Sequence, residues 1–365
     1  CCSSMSSLIL ITLSGALLGK LHIYKQEIKT NLIKSNGNLL FPMYGFFIIA
    51  QTVSMMDSML TFWVLQLSTV CIVTFGIGLG YFLVYALKPA SYKYTAVALV
   101  AFANLGNFPI IVVHGACSDF GPLRGYEECL QMPGYAMTCS ISFNIMLWSI
   151  AYALLLKDAR ITGKSKIEHF YSSSNDDNSS LLSETYDVPI NNYEADFKLI
   201  ISNATLMPIP RACMLGVVFG MIPGIGGILF NESAPFRFLS QDAINIGFLG
   251  IVLSQQVLGF NISDQLTHYK PTEPLLIVGI GVCKLIIIPA VFQVIIHYTY
   301  EAQWISYGVA YVSMISAASP PGIATMSMSQ LLDAGVEFSS LVFLFVYPLS
   351  MVTIPLNSYI FLVLN

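Results

Sequence analysis

Residues 317–328 read AASPPGIATMSM, and residues 100–115 read VAFANLGNFPIIVVHG. Both lie inside long apolar runs, and both set proline and glycine where a membrane-crossing helix would otherwise continue. Proline in a helix interior removes a hydrogen bond and clashes with the preceding turn. Each stretch therefore predicts an interrupted helix, and the runs around them decide what the interruptions mean.

The chain has 365 residues, of which 55% are hydrophobic and only 10% charged, and its mean hydropathy is +0.71. Soluble domains carry about 25% charged residues, so an apolar excess of this size points to lipid as the solvent. A net charge of −4 without any basic patch argues against nucleic acid as a partner. The eight cysteines form no CxxC pair and no Cys/His cluster at metal-ligand spacing, so no metal and no other cofactor is expected. No nucleophile sits with a base at motif spacing, and FGIGLG (75–80) follows no strand, so its glycines read as helix packing and not as a phosphate loop. An enzyme is not expected. The chain opens on Cys1-Cys2 without a methionine, which leads us to expect residues ahead of it.

A hydrocarbon core about 30 Å thick needs roughly 20 apolar residues of helix. Such runs fall near 5–24, 39–56, 60–87, 94–115 and 134–156, and again near 200–222, 241–262, 274–298, 303–327 and 338–364. Between the two sets, residues 157–197 include SSSNDDNSSLLSETYD, which is too polar to offset the entropy of folding and reads as a flexible loop. The chain thus divides into a first five-helix repeat (1–156), a cytosolic loop (157–197) and a second five-helix repeat (198–365). Cytoplasmic loops collect Lys and Arg. With the N-terminus outside, the inner loops hold Lys20, Lys25, Lys29, Lys34, Lys88, Lys93, Lys157, Arg160, Lys164, Lys166, Lys198 and Lys270, against Arg124 and Arg237 outside. Both termini are therefore expected on the outer side. Five crossings per half invert the second half, which gives an all-α polytopic membrane protein of ten transmembrane helices built as a 5+5 inverted repeat.

The two interruptions fall in helices 4 and 9, the fourth of each half. Broken segments at matching positions are the best sequence pointer to a transporter's binding site. Each break exposes helix-start N–H groups carrying roughly half a positive charge, suited to a small anion such as a carboxylate. The expected donors are the amides of Ile110, Ile111, Gly322, Ile323 and Ala324, with Pro109 and Pro321 at the helix starts. Asn104, Asn107 and Ser319 are expected to add side-chain hydrogen bonds, beside Pro320. Gln255, Gln256 and Asn144 lie at depth and either bond between helices or face the cavity. Lys284, near the midplane of the eighth run, either balances an anionic substrate or pairs structurally. Cys117 and Cys129 share one outer loop and can pair if that side is lumenal.

These residues resemble a known family. NLGNFPI (104–110), Cys117, FG (120–121) and Cys129 are similar to the PIN-like (PILS) branch of the auxin efflux carrier family. So are GYAMTCSISFNIMLWSIAYAL (134–154), GVVFGMIPGIGGILFNESAPFR (216–237) and SPPGIATMSMSQLLDAGVEFSSLVF (319–343). The resemblance implies ten spans, crossed breaks in spans four and nine, and transport of small organic anions related to indole-3-acetate. It further implies an endoplasmic reticulum membrane with lumenal termini, and family members can form homodimers. LSQQVLG (253–259) departs from the family's Gly-Gly-Asn-like stretch, which implies a different pocket shape around Gln255 and Gln256. The alternative function, from a different class, is a membrane sensor that binds a sterol or small ligand without net transport.

Overall fold

A computed structural model describes residues 2–21, 28, 31–32, 35–55, 59–105, 108–118, 123–161, 208–231, 233–266, 273–332 and 334–364. The described residues are helical almost throughout. In chain order the helices are α1 (Cys2–Lys20), α2 (Asn36–Met55), α3 (Met59–Leu87), α4 (Lys93–Ala101), α5 (Phe108–Ala116) and α6 (Met132–Ile161). After residues outside this description come α7 (Pro208–Gly220), α8 (Arg237–Leu266), α9 (Pro274–Glu301), α10 (Tyr307–Ala318), α11 (Ile323–Leu331) and α12 (Val336–Leu364). Six of them (α2, α3, α6, α8, α9 and α12) are long and apolar enough to cross a membrane.

Two packing groups emerge. Helices α1, α2, α7 and α8 pack against one another; in the other group α3 packs on α4, α6, α9 and α10, the short α5 lies against α6, α10 and also α1, and the short α11 lies against α12, α4 and the end of α6. The first group is held by close backbone approach. A side chain at Gly15 of α1 would strike the backbone carbonyl of Gln256 in α8, so only glycine allows that contact. Gly134 instead leaves room for a side chain between the groups, where α6 runs over Thr52 of α2. Gly76 of FGIGLG lies against the backbone of Val100 and Ala101, in keeping with a packing role. Leu60, Trp63, Leu67 and Phe82 of α3 remain exposed, as expected where lipid is the neighbour.

Several boundaries differ from the sequence reading. The fifth run continues to Ile161, five residues into the expected loop, because Leu154, Leu155, Leu156 and Ala159 are still buried. The ninth begins at Tyr307, where Ser306 caps the helix by accepting from the Val309 amide. The remainder of the expected loop lies outside the described residues.

Candidate functional site

The two interruptions meet. Ala103 and Pro321 form an antiparallel β-bridge, an isolated strand pair between otherwise helical segments. Around it the Asn104 amide donates to the Pro320 carbonyl at 2.7 Å, and the Gly322 amide donates to the Phe102 carbonyl at 2.9 Å. These two bonds are reciprocal. Exchanging 102–104 with 320–322 turns one into the other, so the backbone has a local two-fold at the crossing. Unwound backbone at membrane depth must find partners in protein or water, and here each break supplies the other's.

That geometry corrects two expectations. The Gly322 amide is consumed by Phe102 and is not a donor for a ligand. Nor is Pro321 a residue of the helix start, since it pairs with Ala103 and α11 begins at Ile323, whereas Pro109 is the second residue of α5 as expected for a helix start. The donors that remain are helix-start amides: Ile323 and Ala324 on α11, and Ile110 on α5. Pro109, Ile110 and Ile111 are all in the first turn of α5 and buried.

The side chains divide between those at the crossing and those elsewhere. Asn104 is buried and its side-chain amide donates to the Tyr347 hydroxyl at 3.1 Å. The same hydroxyl donates to the Pro321 carbonyl at 2.9 Å, so Tyr347 of α12 clasps both breaks. Ser319 is also buried, but its hydroxyl donates to the Ile315 carbonyl one turn back and so closes the end of α10. Asn144 donates to the Ser140 carbonyl within its own helix. Gln256 reaches Ser14 of α1, within the first packing group and away from the crossing. Gln255 is buried, with a side-chain NH₂ that has no partner among the described residues. Asn107 lies outside the described residues.

Charged groups bracket the half-helices. Asp158, near the end of α6 and buried, accepts from both the Thr95 amide and the Thr95 hydroxyl at 2.7 Å, which places a carboxylate on the positive start of α4. Glu128 does the same for α10, accepting from the Ser306 hydroxyl at 2.8 Å and the Gly308 amide at 3.1 Å. Lys284 is wholly buried and donates to the Val100 carbonyl at 3.1 Å, at the carbonyl end of α4. Beside Glu128, Cys129 is disulfide-bonded to Cys117 at the end of α5, with 5.7 Å between their Cα atoms. The pairing left open by the sequence is thus resolved.

Sequence reasoning missed Tyr347, Asp158 and Glu128. A signal existed for Tyr347, since a tyrosine at membrane depth needs a partner for its hydroxyl. Among the described residues no group of three His, Cys, Asp or Glu is arranged to hold a metal. A cavity of about 410 Å³ opens between α2 and α7, lined by Ser54, Ile222, Pro223, Gly226 and Asn231 among others. It shares no residue with the crossing and has no charged side chain in its wall, so the crossing remains the candidate site.

The sequence pattern of the family described as "Membrane transport protein" matches residues 2–358. The chain is similar to three proteins of Arabidopsis thaliana. It is 24% identical to PIN-LIKES 7 over 380 residues, covering 97% of this chain and 95% of that protein. It is 23% identical to PIN-LIKES 5 over 377 residues, with the same two coverages. Identity to PIN-LIKES 3 is 21% over 312 residues, covering 82% and 80%.

Proposed function

Since this chain belongs to the membrane transport protein family, that of the auxin efflux carriers, we propose that it is a secondary transporter. It moves small organic anions of the auxin-like carboxylate class across an intracellular membrane, most simply that of the endoplasmic reticulum. The chain crosses ten times as two inverted five-helix repeats (1–156 and 198–365) joined by a cytosolic loop, with both termini in the lumen. The group around α5 and α11 shifts against α1, α2, α7 and α8 to expose the site to each side in turn.

The observation that carries this reading is the reciprocal bonding of 102–104 with 320–322. A broken helix held only by its own prolines would need no partner break. Two breaks that satisfy each other's backbone instead hold the starts of α5 and α11 near one point, where their amides and partial positive charge suit a carboxylate. Asn104 supports that point through Tyr347 and adds its own polar group. Two further supports favour a lumenal outer face: the Cys117–Cys129 bond belongs in an oxidising compartment, and the basic residues gather on the opposite side.

The test is flux of labelled indole-3-acetate and other small carboxylates into proteoliposomes. Wild type is expected to carry at least one of them, and Asn104→Ala to lose most of that flux while remaining folded. Specific binding of a ligand by folded protein with no flux of any carboxylate would favour the sensor class and sink the transporter reading.

A further inference from the structure

Lys284 stands on a π-helical turn (Cys283–Ile287) in the middle of α9, and none of it is exposed. Such wide turns re-aim a side chain and recur at functional sites. Here the ammonium is aimed away from its own repeat, across to the Val100 carbonyl in the last turn of α4. The final carbonyls of a helix lack intrahelical donors and carry roughly half a negative charge. In carriers built from interrupted helices, such carbonyl ends are where a coupling Na⁺ or proton is held. In this chain a covalently attached cation occupies that place.

The other break is different. At the carbonyl end of α10 the Ser319 amide donates to Ser316 and the Ser319 hydroxyl donates to Ile315, so the end closes on its own residues. Among the described residues, the hydrogen bonds at that end involve no cationic side chain. Among the described residues the crossing therefore holds one fixed ammonium on one side of its two-fold and none on the other.

We propose that Lys284 is a tethered counter-cation: a positioning residue that fixes the carbonyl end of α4 and stands where a co-transported cation would sit. Transport is then independent of Na⁺ and K⁺. Roughly half a positive charge is left over after the helix end is offset, and it favours an anion over its neutral analogue at the neighbouring amides. This inference rests on the carrier reading above, and its test is chosen to separate the two.

Wild-type flux of a carboxylate should be unchanged when Na⁺ and K⁺ are replaced by choline. Lys284→Ala should cut that flux by about tenfold or more, the scale of a lost charge-assisted hydrogen bond. It should do so by raising KM for the carboxylate while leaving binding of the corresponding neutral amide in place. Propylammonium, the fragment that the substitution removes, should restore flux to Lys284→Ala and raise its Tm, with neither effect on wild type. Lys284→Arg, which keeps the charge, should retain more flux than Lys284→Ala. The proposal is overturned if wild-type flux follows Na⁺, or if carboxylate and amide lose affinity alike. If Lys284→Ala does not fold, the choline exchange on wild type and the comparison of Lys284→Arg with Lys284→Gln decide. If wild type carries no carboxylate, the carrier reading fails, and the propylammonium-dependent Tm shift still decides the counter-cation.

Discussion

The two broken helices reach the same crossing by different means. The α10–α11 break is closed locally at its carbonyl end: Pro320, Pro321 and Gly322 stop the helix, and Ser319 closes its end within one turn, with Phe102, Asn104 and Tyr347 bonding the residues beyond. The α4–α5 break is held from a distance. Asp158 lies 63 residues from Thr95, Lys284 lies 184 from Val100, and Tyr347 lies 243 from Asn104. Proline weakens a helix because its ring excludes the helical bond; two in succession followed by glycine end α10, although α12 runs on through the single Pro348 and Pro355. Between Phe102 and Leu105 there is no proline, the nearest being Pro109, so the unwound backbone there relies on other helices to satisfy it. One break is written mainly in its own residues, and the other, marked in the sequence by Gly106 and Pro109, leans more on distant ones.

The contrast predicts that removing a distant support hurts more than removing a local one. The largest effect is expected for Asp158→Ala, which leaves a buried amide and a buried hydroxyl unpaired and should cost about 3 kcal/mol. Unfolding in mixed micelles with increasing SDS would measure it, and a loss below that of Pro320→Ala would break the comparison. Tyr347→Phe comes next. It withdraws one hydroxyl from both breaks and should cost about 2 kcal/mol, together with weaker carboxylate binding by titration calorimetry. Glu128→Ala should cost about 1 kcal/mol in the same micelle titration, because Ser306 still caps α10 without it. The smallest loss, about 0.5 kcal/mol, is expected for Pro320→Ala, which chiefly frees the unfolded chain. Equal losses for Asp158→Ala and Glu128→Ala would show that burial of the cap, which separates these two, does not matter.

Legibility in the sequence follows the same division. The apolar runs and both interruptions could be read directly, since lipid demands long apolar stretches and Pro and Gly mark their breaks locally. The assignment of Asn104 to the crossing was also within reach. The destinations of Ser319, Gln256 and Asn144 were not, because a polar side chain in lipid can bond its own helix as readily as face a cavity. Gly322 was misread for a related reason. An amide at a helix start looks free until the opposing strand that uses it is known, and Phe102 is 220 residues away in a chain of 365 (322 − 102 = 220). Asp158 was hidden by its position at the edge of a polar stretch, where a carboxylate looks solvated.

The Cys117–Cys129 bond has a practical side for anyone purifying this protein. Cys129 is the immediate neighbour of Glu128, and Cys117 follows the last residue of α5, so the sulfur link ties the cap of α10 to the end of α5. Dithiothreitol, added by habit to keep membrane proteins monodisperse, would here cut a tie between the two interrupted helices. Samples handled with and without it are chemically different proteins, and measurements on them should not be pooled.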